Sequence, residues 1–266
     1  MNLIKEALRE DLSNDDITTN SIVPASMKSK AVIIAKEDGV IAGLDVAKDV
    51  FKELDKNIIF KKKLKDGNFA KKGKIIAEIE GNTRAILSGE RVALNFLQRM
   101  SGIATITRKF VKLSGNVKVL DTRKTTPCLR TFEKYAVKVG GGFNHRFNLN
   151  DAVLIKDNHI EIAGSVANAI KTARKTGKKI EVEVKNMNEL KEAIENGTDI
   201  VLLDNMRAKQ IKKCVNFVAG RAKVEVSGGV NLDTIKQIAK TGADYVSIGA
   251  LTHSAKALDI SLEVLK

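Results

Sequence analysis

Apolar residues follow two different rhythms along the chain, and the change between them falls near residue 117. Before it, short runs predict strands over Lys30 to Ala35, around Val40-Ile41, over Asn57 to Lys63 and over Lys74 to Glu80, punctuated by Asp38-Gly39, Asp66-Gly67 and Lys72-Gly73. Leu44 to Leu54 reads as a helix. So does Arg84 to Met100, where Ile86, Leu87, Leu94, Leu97 and Met100 fall at near-helical spacing, with Gly102 expected to close it. This first part is an α+β unit.

From Val117 onward, short aliphatic strands alternate with helical stretches: Val117 to Leu120, Val153 to Ile155, Ile180 to Val184, Ile200 to Leu203, Lys223 to Val226 and Tyr245 to Ile248. Strands of this kind separated by helices imply a parallel sheet covered on both faces, either doubly wound or closed into a barrel. Nearly every strand ends in polar residues or glycine, as in Asp121-Thr122-Arg123-Lys124, Lys156-Asp157-Asn158-His159, Lys185-Asn186, Asp204-Asn205, Ser227-Gly228-Gly229 and Gly249-Ala250. A barrel gathers those ends into one mouth, and a phosphate commonly sits after its last strands. The barrel is therefore the preferred reading, irregular or small because only six strands are visible.

Composition narrows the function. The 266 residues are 43% hydrophobic and 29% charged, with 2 Pro and 19 Gly, a profile that excludes disorder and fibres. Aromatics are only 4%, with no Trp, too few for platforms that stack nucleobases. The net charge is +14, and most of the excess lies after residue 100, which favours an anionic partner without naming it. Cys128 and Cys214 have neither metal-ligand spacing nor disulfide density, which suits a reducing cytosol. Asn2-Leu3-Ile4-Lys5-Glu6 begins an amphipathic helix rather than a signal or membrane segment, so a cytoplasmic protein is expected.

The candidate chemistry sits at the strand ends. Arg123, Lys124, His145, Arg146 and Lys156 would bring cations to one cavity, with Arg91 joining from the preceding helix, and such a set needs a strongly anionic ligand. Glu183 and Asp204 suit sugar hydroxyls, a Mg²⁺ ion or a structural ion pair with a neighbouring lysine. Gly228, Gly229 and Gly249 follow the last two strands, where backbone N–H groups can approach a phosphate. His145, His159 and His253 lack zinc spacing and read as hydrogen-bonding groups. No nucleophile elbow, Walker loop or early dinucleotide fingerprint is present, so hydrolase, P-loop and dinucleotide-fold readings are excluded.

Four blocks carry a resemblance: E-R-V-A-L-N-F-L-Q-R-M-S-G-I-A-T (Glu90 to Thr105), D-T-R-K-T-T-P (Asp121 to Pro127), E-K-Y-A-V-K-V-G-G-G-F-N-H-R (Glu133 to Arg146) and L-I-K-D-N-H (Leu154 to His159). With E-V-E-V-K, L-L-D-N, S-G-G-V and S-I-G-A-L-T-H following in order, and Glu10-Asp11 and Asp16-Ile17-Thr18-Thr19 before them, nearly the whole chain resembles the quinolinate phosphoribosyltransferases, or carboxylating nicotinate-nucleotide pyrophosphorylases. Two positions depart from the family pattern. Asp15 and Cys128 stand where glycine is common.

The resemblance implies an N-terminal α/β sandwich (1–104, joined by 254–266) and an irregular α/β barrel of about seven strands (105–253), the type II phosphoribosyltransferase architecture. It implies transfer of the phosphoribosyl group of phosphoribosyl pyrophosphate to quinolinate, with Mg²⁺ carried by the donor, giving nicotinate mononucleotide, pyrophosphate and CO₂ in NAD biosynthesis. Lys124, Lys156, Glu183 and Asp204 would be catalytic, the two carboxylates also serving the metal. Arg123, His145 and Arg146 would join the lysines around quinolinate and pyrophosphate; Ser227, Gly228, Gly229, Gly249 and His253 would bind the donor. Arg91 would reach across a homodimer, which in some members builds larger assemblies. The alternatives are a phosphoribosyltransferase of this fold with another acceptor, and a basic nucleic-acid-binding protein. Against the latter, compact basic runs such as Lys61-Lys62-Lys63 and Lys212-Lys213 are short and better explained as helix or strand surface. No nucleic-acid or membrane partner is expected.

Overall fold

The structure is a computed structural model that describes residues 2–265, so Met1 and Lys266, at the edges of the expected segments 1–104 and 254–266, lie outside the described residues. Helix α1 (Leu3–Leu12) starts where the Asn2 side chain accepts the N–H of Ile4, and it buries Leu8. Helix α2 (Ile17–Ile22) is capped by Asp16, which accepts the Thr19 N–H at 2.9 Å and the Ser88 hydroxyl at 2.8 Å. Strands β1 (Lys28–Ala35) and β2 (Gly39–Val40) lead to helix α3 (Leu44–Leu54). Asp66 caps α3 from a distant turn, accepting the N–H groups of Gly43 and Leu44. Strands β3 (Ile59–Lys62), β4 (Phe69–Ala70) and β5 (Ile75–Asn82) follow, then the long helix α4 (Thr83–Leu113).

Beyond α4 the chain alternates strand and helix: β6 (Lys118–Leu120), α5 (Arg130–Val139), β7 (Val153–Ile155), α6 (Asp157–Ala163), α7 (Val166–Ala173), β8 (Ile180–Val184), α8 (Met187–Glu195), β9 (Ile200–Asp204), α9 (Ala208–Val218), β10 (Lys223–Ser227), α10 (Ile235–Ile238), β11 (Tyr245–Ser247) and α11 (Ala250–His253). Strand β12 (Ile260–Leu265) is the last element. All six strands expected after residue 117 are present.

The contacts divide the chain into two units, one of residues 1–106, 126–140 and 254–266, the other of residues 107–125 and 141–253. The sequence reading runs the barrel without a break from residue 105 to 253. In the structure residues 126–140 group with the first unit instead, because Glu133 on α5 is fully buried and ion-paired to Arg99 of α4 at 2.7 Å, and Phe132 packs edge-on against Phe96.

In the first unit the antiparallel order is β12-β1-β5-β3, with Ile33 opposite Ala77 and Leu262. Phe51, Val50, Ala47 and Leu44 of α3 join Ile33, Ile76, Ile79 and Ile86 in one core. Here α4 corrects the sequence reading, for it runs straight through Gly102. That glycine admits the backbone of Lys256 and Ala257, which a Cβ would strike, so it marks a close approach and not a helix end. Next to it Ser101, and about one turn on Thr105, use their hydroxyls to accept the backbone N–H groups of Ala42 and Val40.

The second unit is a parallel sheet in the order β6-β11-β10-β9-β8-β7, with a further parallel bridge from Leu120 to Phe143 adding a seventh short segment. Alternation along each strand sorts the side chains. Val182, Val184, Val201, Leu203, Val224 and Val226 are buried, while Glu181, Glu183, Leu202, Asp204, Glu225 and Ser227 line internal cavities. The basic runs lie on element surfaces, Lys61 and Lys62 on β3 and Lys212 and Lys213 on α9; Lys62 pairs with Asp45 and neighbouring Lys63 with Glu78.

Candidate active site

A cavity of about 680 Å³ opens at the C-terminal ends of the parallel strands. It brings together Arg123, Lys124, His145, Arg146, Lys156, Glu183, Asp204, Ser227, Gly228, Gly229, Gly249 and His253. Arg91 is exposed on α4 and is not among the lining residues.

The segment after β6 forms one wall. Lys124 N–H donates to the Thr122 hydroxyl at 3.0 Å, and its carbonyl accepts the Thr252 hydroxyl at 2.8 Å, which ties this loop to α11. Asp121 is wholly buried and accepts the His145 N–H at 2.8 Å, while Phe143 N–H donates to Val119 O at 2.8 Å. Through these bonds the acidic residue that opens the D-T-R-K run places the N-H-R run beside it. Arg146 donates to Ala152 O at 3.0 Å, and burial together with the neighbouring Arg123 charge lowers its hold on its proton. Neighbouring guanidinium groups are chemically suited to carboxylates, which their planar forks meet in a bidentate way.

Across the cavity, the Lys156 ammonium pairs with Glu183. His159, in the first turn of α6, serves the backbone, its Nδ1 accepting the Lys156 N–H at 2.9 Å, which fixes the backbone at the lysine. Asp204 accepts from the Asn205 side-chain amide at 2.6 Å, and Asn205 itself adopts φ +54°. Gly228 is required by this turn: its φ is +90° and a Cβ would run into Asn205. Gly229, at φ +59°, faces open space, whereas Gly249 is closed in by the His253 ring and the Lys124 stem, each 3.1 Å from where a Cβ would stand.

Glu225 and Ser247 line the cavity without being singled out in the sequence, and Thr122 and Asn205 figure there only as strand-end residues. Strand periodicity carries a signal for one of them, since Glu225 lies two positions before Ser227 and so shares its face. Glu181 stands in the same relation to Glu183.

Residues 16–101 match the family described as Quinolinate phosphoribosyl transferase, N-terminal domain, and residues 103–263 match Quinolinate phosphoribosyl transferase, C-terminal domain. The chain belongs to the quinolinate phosphoribosyltransferase family. It is 45% identical over 280 residues to a probable nicotinate-nucleotide pyrophosphorylase [carboxylating] of Methanocaldococcus jannaschii, covering 100% of this chain and 97% of that one. The corresponding Bacillus subtilis protein is 43% identical over 267 residues, covering 98% and 92%. Among solved structures, NadC from Streptococcus pyogenes superposes with a TM-score of 0.95 at 47% identity, covering 99% of this chain and 96% of that one. The likeness extends over both units.

Proposed function

We propose that this protein transfers the phosphoribosyl group of phosphoribosyl pyrophosphate to quinolinate and releases CO₂, forming nicotinate mononucleotide and pyrophosphate for de novo NAD synthesis. The observation that carries the reading is the cationic cavity of a family member, with Arg123 beside Arg146 and a glycine-bearing turn at Gly228-Gly229. A dicarboxylate acceptor accounts for paired guanidinium groups better than a monocarboxylate does.

The ring nitrogen of quinolinate already carries a lone pair, so no base has to activate it. What the residues contribute is position and charge. Arg123 and Arg146 hold the carboxylates, Lys124 and Lys156 stabilise the departing pyrophosphate, and Glu183 and Asp204 face the developing positive charge and hydroxyls of the ribose. Ser227, Gly228, Gly229, Gly249 and His253 receive the 5-phosphate. Glu183 and Asp204 end the adjacent strands β8 and β9 and offer carboxylate oxygens to the cavity, a donor set that fits Mg²⁺. The ion, arriving with the donor, would offset charge on the pyrophosphate oxygens.

The working unit in this reading is a cytoplasmic homodimer in which Arg91 completes the partner's site. Mixing Arg91→Ala with Lys156→Ala under subunit exchange should restore up to half of wild-type activity per heterodimer, because one site then receives both intact residues. If exchange is confirmed by mass spectrometry and activity stays at the level of the separate variants, Arg91 does not cross. The function itself is tested by incubating the protein with quinolinate, phosphoribosyl pyrophosphate and Mg²⁺. Nicotinate mononucleotide and CO₂ are the expected products, and nicotinate in place of quinolinate should give little turnover. Absence of product with quinolinate would refute the reading. No helix among the described residues is long and apolar enough to cross a membrane.

A further inference from the structure

Below the substrate cavity, the barrel axis holds a polar cluster that the binding roles leave unused. Glu181 of β8 and Glu225 of β10 point inward, one layer beneath Glu183 and Ser227. The His145 Nε2 atom lies 3.1 Å from Glu181 Oε2 and 3.5 Å from Glu225 Oε1. Its Nδ1 accepts the Arg146 N–H at 2.8 Å, which leaves the ring proton on Nε2, aimed at the glutamates and away from substrate. Glu181 is 4% exposed and Glu225 1%, and the Oε1 atom of each lacks a hydrogen-bond donor.

A carboxyl group so placed is poorly suited to carrying charge. Burial and the Glu181 carboxylate push Glu225 up to about 7, against the opposing pull of His145 and of a hydrogen bond with Ser247. The Glu181 charge in turn favours the charged form of Arg146 at the rim of the same cluster. Position matters as much. Glu225 lines the substrate cavity and also a second cavity of about 350 Å³ at the N-terminal end of the strands, bounded by Lys118, Phe143, Lys179 and Tyr245. It therefore stands between the upper cavity and a separate opening.

We propose that Glu225 is the acid of the decarboxylation step, delivering a proton from the barrel axis to the ring carbon that loses CO₂. The inference rests on the quinolinate reading. After phosphoribosyl transfer, the bond from C2 to its carboxylate breaks reversibly, and the electron pair stays on C2 beside the cationic nitrogen, with CO₂ able to rejoin it until C2 is protonated. C2 then takes the Glu225 proton, leaving a carboxylate that a solvent proton entering by the lower cavity neutralises. One proton is consumed for each CO₂ released.

The test is a rapid-quench turnover of Glu225→Gln with quinolinate, phosphoribosyl pyrophosphate and Mg²⁺, following pyrophosphate, CO₂ and the still-carboxylated mononucleotide. First-turnover pyrophosphate should stay within about threefold of wild type while CO₂ release falls about 100-fold or more, the scale of a lost general acid, and the carboxylated intermediate should accumulate. In the wild type, CO₂ release should decline as pH rises through about 7, and Glu181→Gln should move that decline to lower pH by removing the neighbouring charge. Should Glu225→Gln fail to fold by circular dichroism, the wild-type pH decline and its shift in Glu181→Gln decide the matter. CO₂ keeping pace with pyrophosphate at wild-type rate in folded Glu225→Gln overturns the proposal, as does equal loss of both products, which would put Glu225 in the transfer step. A wild type that makes no nicotinate mononucleotide at all defeats the functional reading instead.

Discussion

Gly102→Ala should destabilise the first unit although it improves a helix. Alanine is worth about 1 kcal/mol more than glycine in a helix interior, and position 102 lies well inside α4. Opposing that gain, a Cβ there would overlap the Lys256 carbonyl oxygen and stand 3.0 Å from its carbon and 3.1 Å from Ala257 Cα. These are backbone atoms, with no rotamer to swing aside. The segment cannot drift freely either, since Leu258 N–H donates to Gln98 O at 3.0 Å, the Gln98 amide donates to Ile260 O at 2.7 Å, and Leu258 and Ile260 are 3% and 2% exposed. Overpacking of this kind costs about 1–3 kcal/mol. Weakening two hydrogen bonds adds about 1 kcal/mol each. The net expectation is a loss of about 2–4 kcal/mol, read as a lower urea midpoint with faster amide exchange at Leu258. An equal or higher midpoint, with Leu258 protection unchanged, would show that the close approach does not govern this position.

Cys128→Gly should stabilise by about 0.5–1 kcal/mol, because Cys128 is exposed and holds φ +65°, where a Cβ is unfavourable; thermal unfolding that is unchanged or earlier contradicts it. Arg123→Lys keeps the charge but loses the fork, and a loss of about 2–5 kcal/mol corresponds to at least a 30-fold weaker hold on quinolinate, measurable by calorimetry. Stability should also depend on pH through Glu225. Because its folded value, about 7, lies above the ordinary 4.5, the folded state keeps a proton that the unfolded chain releases, so stability falls between those values as pH rises. Glu225→Gln should flatten that fall, gaining on the order of 2–3 kcal/mol relative to wild type between pH 4 and pH 8; parallel denaturation curves across this range would refute it.

The parallel strands were legible because each is a short aliphatic run ended by polar residues, and the cavity followed from where those ends must gather. Leu44–Leu54 was equally plain, with Leu44, Ala47, Val50, Phe51 and Leu54 facing one core. Gly102 misled because glycine inside a helical pattern has two physical causes, a stop or a close approach, and only the approaching segment some 150 residues later distinguishes them. The placement of α5 was hidden for the same reason, since its Glu133 is paired with an arginine far back in the chain. Glu181 and Glu225 were overlooked among charged residues at strand positions usually turned to water, yet their two-residue offset from Glu183 and Ser227 already assigns them to the barrel interior.

The pairing of β12 with β1 bears on the order in which a ribosome can deliver a finished fold. Lys30 lies opposite Leu265 and Ala35 opposite Ile260, partners separated by more than 220 residues. While the chain is being made, β1 can pair with β5 soon after both emerge, but its other edge stays unsatisfied until the whole of residues 141–253 has been translated. The barrel can therefore close first, and the unit that begins earliest is completed last. Through that interval a nascent chain carries an exposed strand edge flanked by Ile33 and Val32, the kind of surface that chaperones cover and that pairs wrongly with other chains.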